Sequence, residues 1–523
     1  MAILGKVIKG GLKIGEIIRP KNRNLLKQQK RTFLKLIFKA RNTEFGQKYN
    51  FSKLLEEALL SSESTFYTEF KENVPVFDYD SIFKQYWHKC LNGEKDITWP
   101  GRVKHFALSS GTSEAASKYI PVTKDMIKAI QRTSIWQMMA LSRYQSISGN
   151  TLEKGYLMLG GSIDLNYVNG HFEGDLSGIT AGNIPFWFEK YYKPGKQIAS
   201  VKNWEEKLVK ITKKAKDWDI GFVVGVPAWI QLLLERIIKE YNLKNIHEIW
   251  PNLAAFAHGG VSFEPYKHSF EKLLGKPIDY IETYLASEGF LAYQTKPEED
   301  MHLVLNNGIF FEFVPFNEQN FDKNGNIVSK PETFLINEIE LEKDYAILIS
   351  TVSGAWRYLI GDTVKFTDLK KGSIIITGRT KHFLSLCGEH LSVDNMNKAI
   401  DLASKEYETD LREFTIVGKK TTDGFCHHWY IGTESLAIDN QLITFIDNCL
   451  NTLNDDYKVE RGHALNELRL TLLPLSNFYK FMETKNKTGG QNKFPRVLKK
   501  AEQITEWENF VEKITEKKEI SIR

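Results

Sequence analysis

The 523-residue sequence predicts an α/β protein, a large N-terminal domain of mixed sheets with a β-subdomain followed by a smaller α+β C-terminal cap domain. Three observations predict it. From Arg102 onward, short apolar β-rich runs alternate with helical patterns; between Met301 and Ile376 the helices drop out and strands follow one another; after Gly378-Arg379-Thr380 the pattern becomes mixed again. The boundary is therefore drawn at residues 1–378 and 379–523, and with no low-complexity linker there, it reads as a tight hinge.

Taken in order, Met1 to Pro20 is apolar but interrupted by Lys6, Lys9, Lys13 and Arg19, which suits an amphipathic helix and not a secretory signal. Val103 to Leu108 reads as a strand. Thr123 to Tyr144 reads as a helix with Thr123 at its N-cap and Asp125 in the first turn. Gly155 to Leu159 is a buried strand, and Asn203 to Trp218 carries Trp204, Leu208, Ile211 and Ala215 at helical spacing. Ile220 to Val226 is a strand stopped by Pro227, and a helix from Ala228 to Tyr241 follows at once. Leu253 to Ala257 and Ile278 to Tyr284 are further strands. Beyond them His302 to Leu305, Ile309 to Val314, Ala346 to Ser350 and Ser373 to Thr377 predict an antiparallel subdomain, and helices are expected at Val393 to Glu406 and Asn440 to Asn451.

Charge and cysteine usage exclude several classes. Lys plus Arg total 70 against 65 Asp plus Glu, a surplus of five that is too small for a dedicated nucleic-acid surface. Cys90, Cys387, Cys426 and Cys449 are scattered without a CxxC pair, so reduced thiols and a cytoplasmic location are expected. The most apolar stretch, Gly221 to Leu234, is too short to span a bilayer. His427-His428 lacks a third ligand at useful spacing, and no GxSxG elbow offers a serine nucleophile.

Chemistry concentrates in three segments. Ser109-Ser110-Gly111-Thr112-Ser113 follows a predicted strand, and its backbone N–H groups and hydroxyls can converge on a phosphate, with Lys118 adding a point charge. An ordinary Ser/Gly/Thr turn has the same composition. Tyr284-Leu285-Ala286-Ser287-Glu288-Gly289 closes another strand, placing a ring that can stack on a base and a carboxylate that can hold Mg²⁺, or simply a solvated carboxylate. Trp356-Arg357-Tyr358-Leu359-Ile360-Gly361-Asp362 sets an Asp after a Gly, where it can accept both ribose hydroxyl protons or merely shape a turn.

In this order, and with Gly378-Arg379 after them, the motifs SSGTS with Lys118, YLASEG and YLIGD resemble those of adenylate-forming enzymes, and more closely the Gretchen Hagen 3 family of acyl-acid amido synthetases. The resemblance runs from about residue 100 to Arg496. It implies that Ser109, Ser110, Gly111, Thr112 and Ser113 form the phosphate loop, that Lys118 is its lysine, that Tyr284 stacks on the adenine and that Ser287 also binds the nucleotide. It likewise assigns Glu288 to magnesium, Asp362 and Arg379 to the ribose, and Lys493 to the C-terminal-domain lysine that reaches the adenylate, although Lys485, Lys487, Lys499 and Lys500 also crowd that tail. ATP and Mg²⁺ are the implied cofactors, and a small carboxylic acid and an amine, an amino acid, the implied substrates. The acid would be adenylated with loss of pyrophosphate and then passed to the amine, releasing AMP.

Leu285-Ala286 replace the small Gly-Ser pair of the family's second motif, and nothing between Lys118 and Tyr284 matches a hormone pocket. Val226, Trp229, His258 and Gly259 are the candidates for the acyl pocket floor, His258 being equally suited to a structural role. Gly378-Arg379 with Cys387-Gly388-Glu389-His390 also resembles the general ligase hinge. Transfer to a thiol such as coenzyme A, or nucleotide binding without catalysis, are the alternatives.

Overall fold

A computed structural model of the chain describes residues 24–62, 65–109, 118–322, 325–381, 383–384, 386, 389, 391–421, 424–436, 441–485 and 493–522. The expected helix at Met1 to Pro20 and four residues of the phosphate loop, Ser110, Gly111, Thr112 and Ser113, lie outside the described residues.

Ahead of the alternating pattern, residues 24–91 fold into a helical layer. Asn24 caps the helix Leu25–Ala40 by accepting from Lys27 N at 2.7 Å, and Phe33, Leu36, Ile37 and Ala40 form its buried stripe. From the same face the buried Gln29 amide donates to Leu305 O and accepts from Phe311 N, each at 2.7 Å, tying the helix to the strand Ile309–Pro315.

One eleven-stranded sheet organises the body. Across it run Ile309–Pro315, Asp344–Thr351, Tyr358–Asp368, Ser373–Arg379, Met301–Leu303, Gly289–Gln294, Asp279–Ala286, Ala255–Gly259, Ile220–Gly225, Gly155–Met158 and Tyr192–Lys193. Pairings are antiparallel as far as Asp279–Ala286 and parallel from there on. The parallel half needs crossovers, which the helices Pro227–Glu240 and Glu264–Glu271 supply. Proline sits in the first turn of both, where its missing N–H costs nothing. A second sheet of four strands holds the hairpin His105–Ser109 and Lys118–Val122, in which Ser109 pairs directly with Lys118.

The expected helix from Thr123 is Lys124–Ala140, with Thr123 Oγ1 accepting from Met126 N at 3.1 Å. Asn203 likewise turns out to be a cap, accepting from Glu206 N at 2.8 Å, and its helix runs Trp204–Lys214. Lys118 lies in a strand and not in a loop, and the strand carrying Asp362 extends through Asp368.

The C-terminal portion is a five-stranded sheet with the helices Val393–Glu406 and Leu442–Leu453 against it. Met396, Ile400, Phe414, Trp429, Ile443 and Leu470 make its own core. Its other face does not stop at the boundary: Val417, Tyr430, Leu473, Phe494 and Trp507 belong to one apolar cluster with Trp229, Leu233, Phe256 and Phe270. Among the described residues, no helix is long and apolar enough to cross a membrane.

Candidate active site

The strand Asp279–Ala286 is where antiparallel neighbours give way to parallel ones, and ligands of open α/β sheets bind beyond strand carboxyl ends at such changes of connection. A cavity of about 1030 Å³ opens there, and Met158, Gly225, Gly259 and Ala286, at the ends of four adjacent parallel strands, all line it.

Its polar centre is built on Asp362. Gly361 precedes it at φ +89°, a left-handed turn that an L side chain adopts only under strain. Asp362 Oδ2 accepts from Tyr284 OH at 2.5 Å, and Oδ1 pairs with Arg379 Nε at 2.7 Å. The pairing register sets Asp362 directly opposite Arg379, so the ion pair follows from the ladder itself. Tyr284 is buried, and burial together with the Asp362 carboxylate holds its hydroxyl protonated, well above the ordinary tyrosine range.

Glu288 sits in the turn joining Asp279–Ala286 to Gly289–Gln294 and is 8% exposed. Burial pushes its carboxyl up to about 7, the Asp362 charge adds to this, and Lys118 and Arg379 oppose it. Burial and the same carboxylate hold the Tyr358 hydroxyl protonated. Lys118 brings its ammonium 5.2 Å from the Tyr79 ring centroid, and burial lowers its pKa against the pull of Glu288. From the C-terminal portion, Lys493 Nζ donates to Gly260 O. Enclosure of the ammonium and the nearby Arg379 charge press it down to about 8, while the residue as a whole keeps an exposed flank. Gly260 has φ +84°, a conformation that favours glycine, and Lys493 Nζ comes within 2.9 Å of where a Cβ would lie.

Of the residues singled out from sequence, Ser109, Lys118, Val226, His258, Gly259, Tyr284, Ser287, Glu288, Asp362, Arg379 and Lys493 all line this cavity. Trp229 does not: it packs edge-on to Trp204 with centroids 5.1 Å apart, behind the wall. His258 is buried between Phe256 and Phe263, its Nδ1 lacks a partner, and burial drives its pKa down to about 3, so the ring is neutral. His427 is wholly buried and pairs with Glu389 at 2.9 Å, away from the cleft. Sequence reasoning missed Glu282, whose carboxyl burial raises to about 7, and Lys207 on the buried face of Trp204–Lys214. Both line the cavity. The available signal for Lys207 was its position three residues after Trp204 and four before Ile211, on the apolar stripe.

No group of three or more His, Cys, Asp or Glu among the described residues is placed to hold a metal by itself. A single buried carboxylate with a raised pKa fits a Mg²⁺ held mainly by substrate phosphates and water.

Residues 16–163 and 163–278 match the GH3 family N-terminal domain, 302–376 the GH3 family central domain and 394–502 the GH3 family C-terminal domain. Among curated relatives, a jasmonoyl–L-amino acid synthetase of Nicotiana attenuata is 20% identical over 485 residues, covering 79% of this chain and 82% of that protein. A 4-substituted benzoates-glutamate ligase of Arabidopsis thaliana is 22% identical, covering 87% and 93%. Among solved structures, the GH3.15 acyl acid amido synthetase superposes with a TM-score of 0.76 at 16% identity over 98% of both chains. A 2-hydroxyisobutyryl-CoA ligase in its postadenylation state follows at 0.58 and 13% identity, over 94% of this chain and 92% of that one. Fold and relatives define the class as a ligase on the adenylate-forming scaffold. Within that class, the chain belongs to the GH3 family.

Proposed function

We propose that the chain activates a carboxylic acid with ATP and transfers the acyl group to the amine of an amino acid. The observation that carries this reading is that Lys118, Tyr284, Glu288, Asp362, Arg379 and Lys493, drawn from five separated segments, meet in one cavity that apolar side chains also line.

In the first half-reaction a carboxylate oxygen of the acid attacks the α-phosphorus, and the bond to pyrophosphate breaks. Asp362 holds the ribose hydroxyls through the lone pairs not used by Tyr284 and Arg379, and Tyr284 offers its ring as a wall for the adenine. Lys118 and Lys493 neutralise charge developing on the phosphoryl oxygens, in a site where burial strengthens each contact. Ser109, with Ser110, Gly111, Thr112 and Ser113, cradles the phosphates. Mg²⁺, when bound, offsets phosphate charge, and Glu288 is the residue that would hold it. The amine nitrogen then attacks the acyl carbon, AMP leaves, and the amine gives up a proton.

The relatives named for amino-acid conjugation support amide formation over transfer to coenzyme A, since the likeness to the coenzyme A ligase rests on fold alone. We place the two units at 1–378 and 379–523 and assign the C-terminal unit a rotation between half-reactions, swinging Lys493 out for the second. The end of a strand at Arg379 supports a pivot close to this boundary. A cytoplasmic setting suits the free thiols of Cys90, Cys426 and Cys449.

The test is in two parts. Acid-dependent exchange of pyrophosphate into ATP reports the first half-reaction, and AMP release matched to amide when amino acids are added reports the second. Exchange that depends on an acid, with AMP released by a thiol and not by any amine, would replace the amide reading with the thioester one.

A further inference from the structure

A further cation, Lys207, lines the cavity. Helix Trp204–Lys214 turns Trp204, Leu208 and Ile211 into the core, and Lys207 lies on that same apolar face, 3% exposed. A lysine so little exposed is ordinarily matched by a carboxylate. Here Lys207 Nζ donates to Gly160 O at 3.2 Å and lies 5.9 Å from the Trp204 ring centroid. Asp175 is the opposite charge that acts on it, yet the two form no ion pair. One Asp175 oxygen is taken by Ser177 N and Oγ, both at 2.7 Å. Burial consequently depresses the ammonium to about 8. A backbone carbonyl can use one of its three N–H groups, and the side chain borders the open cavity beside Ser177 and Thr180. Met158, Leu176, Ala181 and Ile211 also line the cavity.

We infer that Lys207 is the anchor of a carboxylate subsite, and that the acid this protein activates carries a second carboxylate at the end remote from the one that reacts. The inference rests on the proposed adenylation chemistry for the position of the reacting end. Gly160 follows the strand Gly155–Met158, two strands from Ala255–Gly259, just beyond which Gly260 O holds Lys493 Nζ. Two strand spacings are roughly 10 Å. The α-carboxylate of an amino acid lies two bonds from its attacking nitrogen, so it stays next to the reacting carbon and cannot span that distance. A remote carboxylate on the acid can. The apolar side chains between the two ends match the hydrocarbon of such a molecule, and Ser177 and Thr180 can add hydroxyl donors at the anchor.

The test pairs each α,ω-dicarboxylic acid of six to twelve carbons with its monomethyl ester, which keeps the length and removes one charge. Binding to the full chain is measured by calorimetry and acid-dependent pyrophosphate exchange is measured alongside. Wild type should bind at least one diacid about tenfold or more tightly than its ester, and Lys207→Met should abolish that preference while leaving ester affinity within about twofold. Lys207→Met removes an unmatched buried charge, so its melting temperature should not fall; Lys207→Gln gives the same comparison should the Met variant not fold. A Lys207-dependent diacid preference in binding without any exchange would retain the subsite and sink the adenylation reading. Equal affinity of wild type for every diacid and its ester would overturn the subsite. So would a Lys207→Met variant whose only change is a raised KM for the amino acid, which would assign the carboxylate to the acceptor.

Discussion

Glu288 and its neighbours make a site that is unfavourable to the folded chain until charge arrives. A carboxyl raised from 4.5 to about 7 binds its proton more tightly in the native state than in the unfolded chain. Its contribution to stability is therefore fully present below about 4.5 and is lost as pH climbs through about 7. Glu288→Gln should accordingly melt higher than wild type at pH 8 and match it near pH 4, while exchange falls by about 10²-fold or more; differential scanning calorimetry at the two pH values reads the first part. Below pH 7 the wild-type KM for ATP with Mg²⁺ should rise as Glu288 takes up its proton. Asp362→Asn should weaken ATP binding by about 1–3 kcal/mol, because it removes an acceptor and leaves Arg379 without its partner. Lys493→Ala should slow adenylation by about 10²-fold and spare amide formation from a preformed adenylate; equal losses in both would end the swinging role. At this scale the sequence was legible where a carboxylate stood beside glycine, as with Glu288 and Asp362. Lys207 and Glu282 were not, because an isolated charge in an amphipathic pattern reads as solvated, and its burial is decided by residues far away in the chain.

The strand Tyr358–Asp368 is the element on which the centre depends, and it is anchored at its start. Arg357, with φ 40°, pairs with Glu312 at 2.9 Å, both residues almost fully buried, and its guanidinium also donates to Lys71 O and Val74 O at 2.7 Å. This joins the helical layer, the antiparallel half of the sheet and the segment leading to Asp362. Glu312→Gln leaves a buried guanidinium without its counter-charge and should destabilise the fold by about 3–5 kcal/mol in denaturant unfolding. A loss under 1 kcal/mol would mean that the carbonyls alone hold Arg357. Element types were readable where cap and periodicity agree, as with Thr123 before Lys124–Ala140; the reciprocal cap of Ser392 and Asn395 on Val393–Glu406 is seen in the structure. Strand ends moved by two or three residues because ladder partners set them, as when Arg379 is drawn into the strand opposite Asp362. The stripe of Phe33, Leu36, Ile37 and Ala40 is visible in sequence, but its partner strand, some 270 residues later, is not.

At the scale of the molecule, two portions share one apolar cluster and one polar seam. Arg496 bonds Tyr266 OH and Glu413, and Arg412 pairs with Glu235 at 2.7 Å, so the C-terminal portion is held against the parallel half with Lys493 in the cleft. That arrangement suits the adenylating step. A rotation would have to part this seam, and Arg412→Ala should therefore raise the population of the rotated form; energy transfer between dyes on exposed Leu60 and Val459, each replaced by cysteine, should change on binding of an acyl-adenylate analogue and change further in the variant. The change of pattern at Gly378 is visible in sequence, whereas the shared core is not, because Phe494 and Trp507 give no sign in sequence that their partners lie before residue 280. The measurement that bears most directly on the central claim is acid-dependent pyrophosphate exchange by wild type beside Asp362→Asn and Lys118→Ala. Exchange that requires a carboxylic acid and falls by about 10²-fold or more in both variants is the predicted result; exchange that is absent with every acid, or unchanged in folded variants, would contradict it.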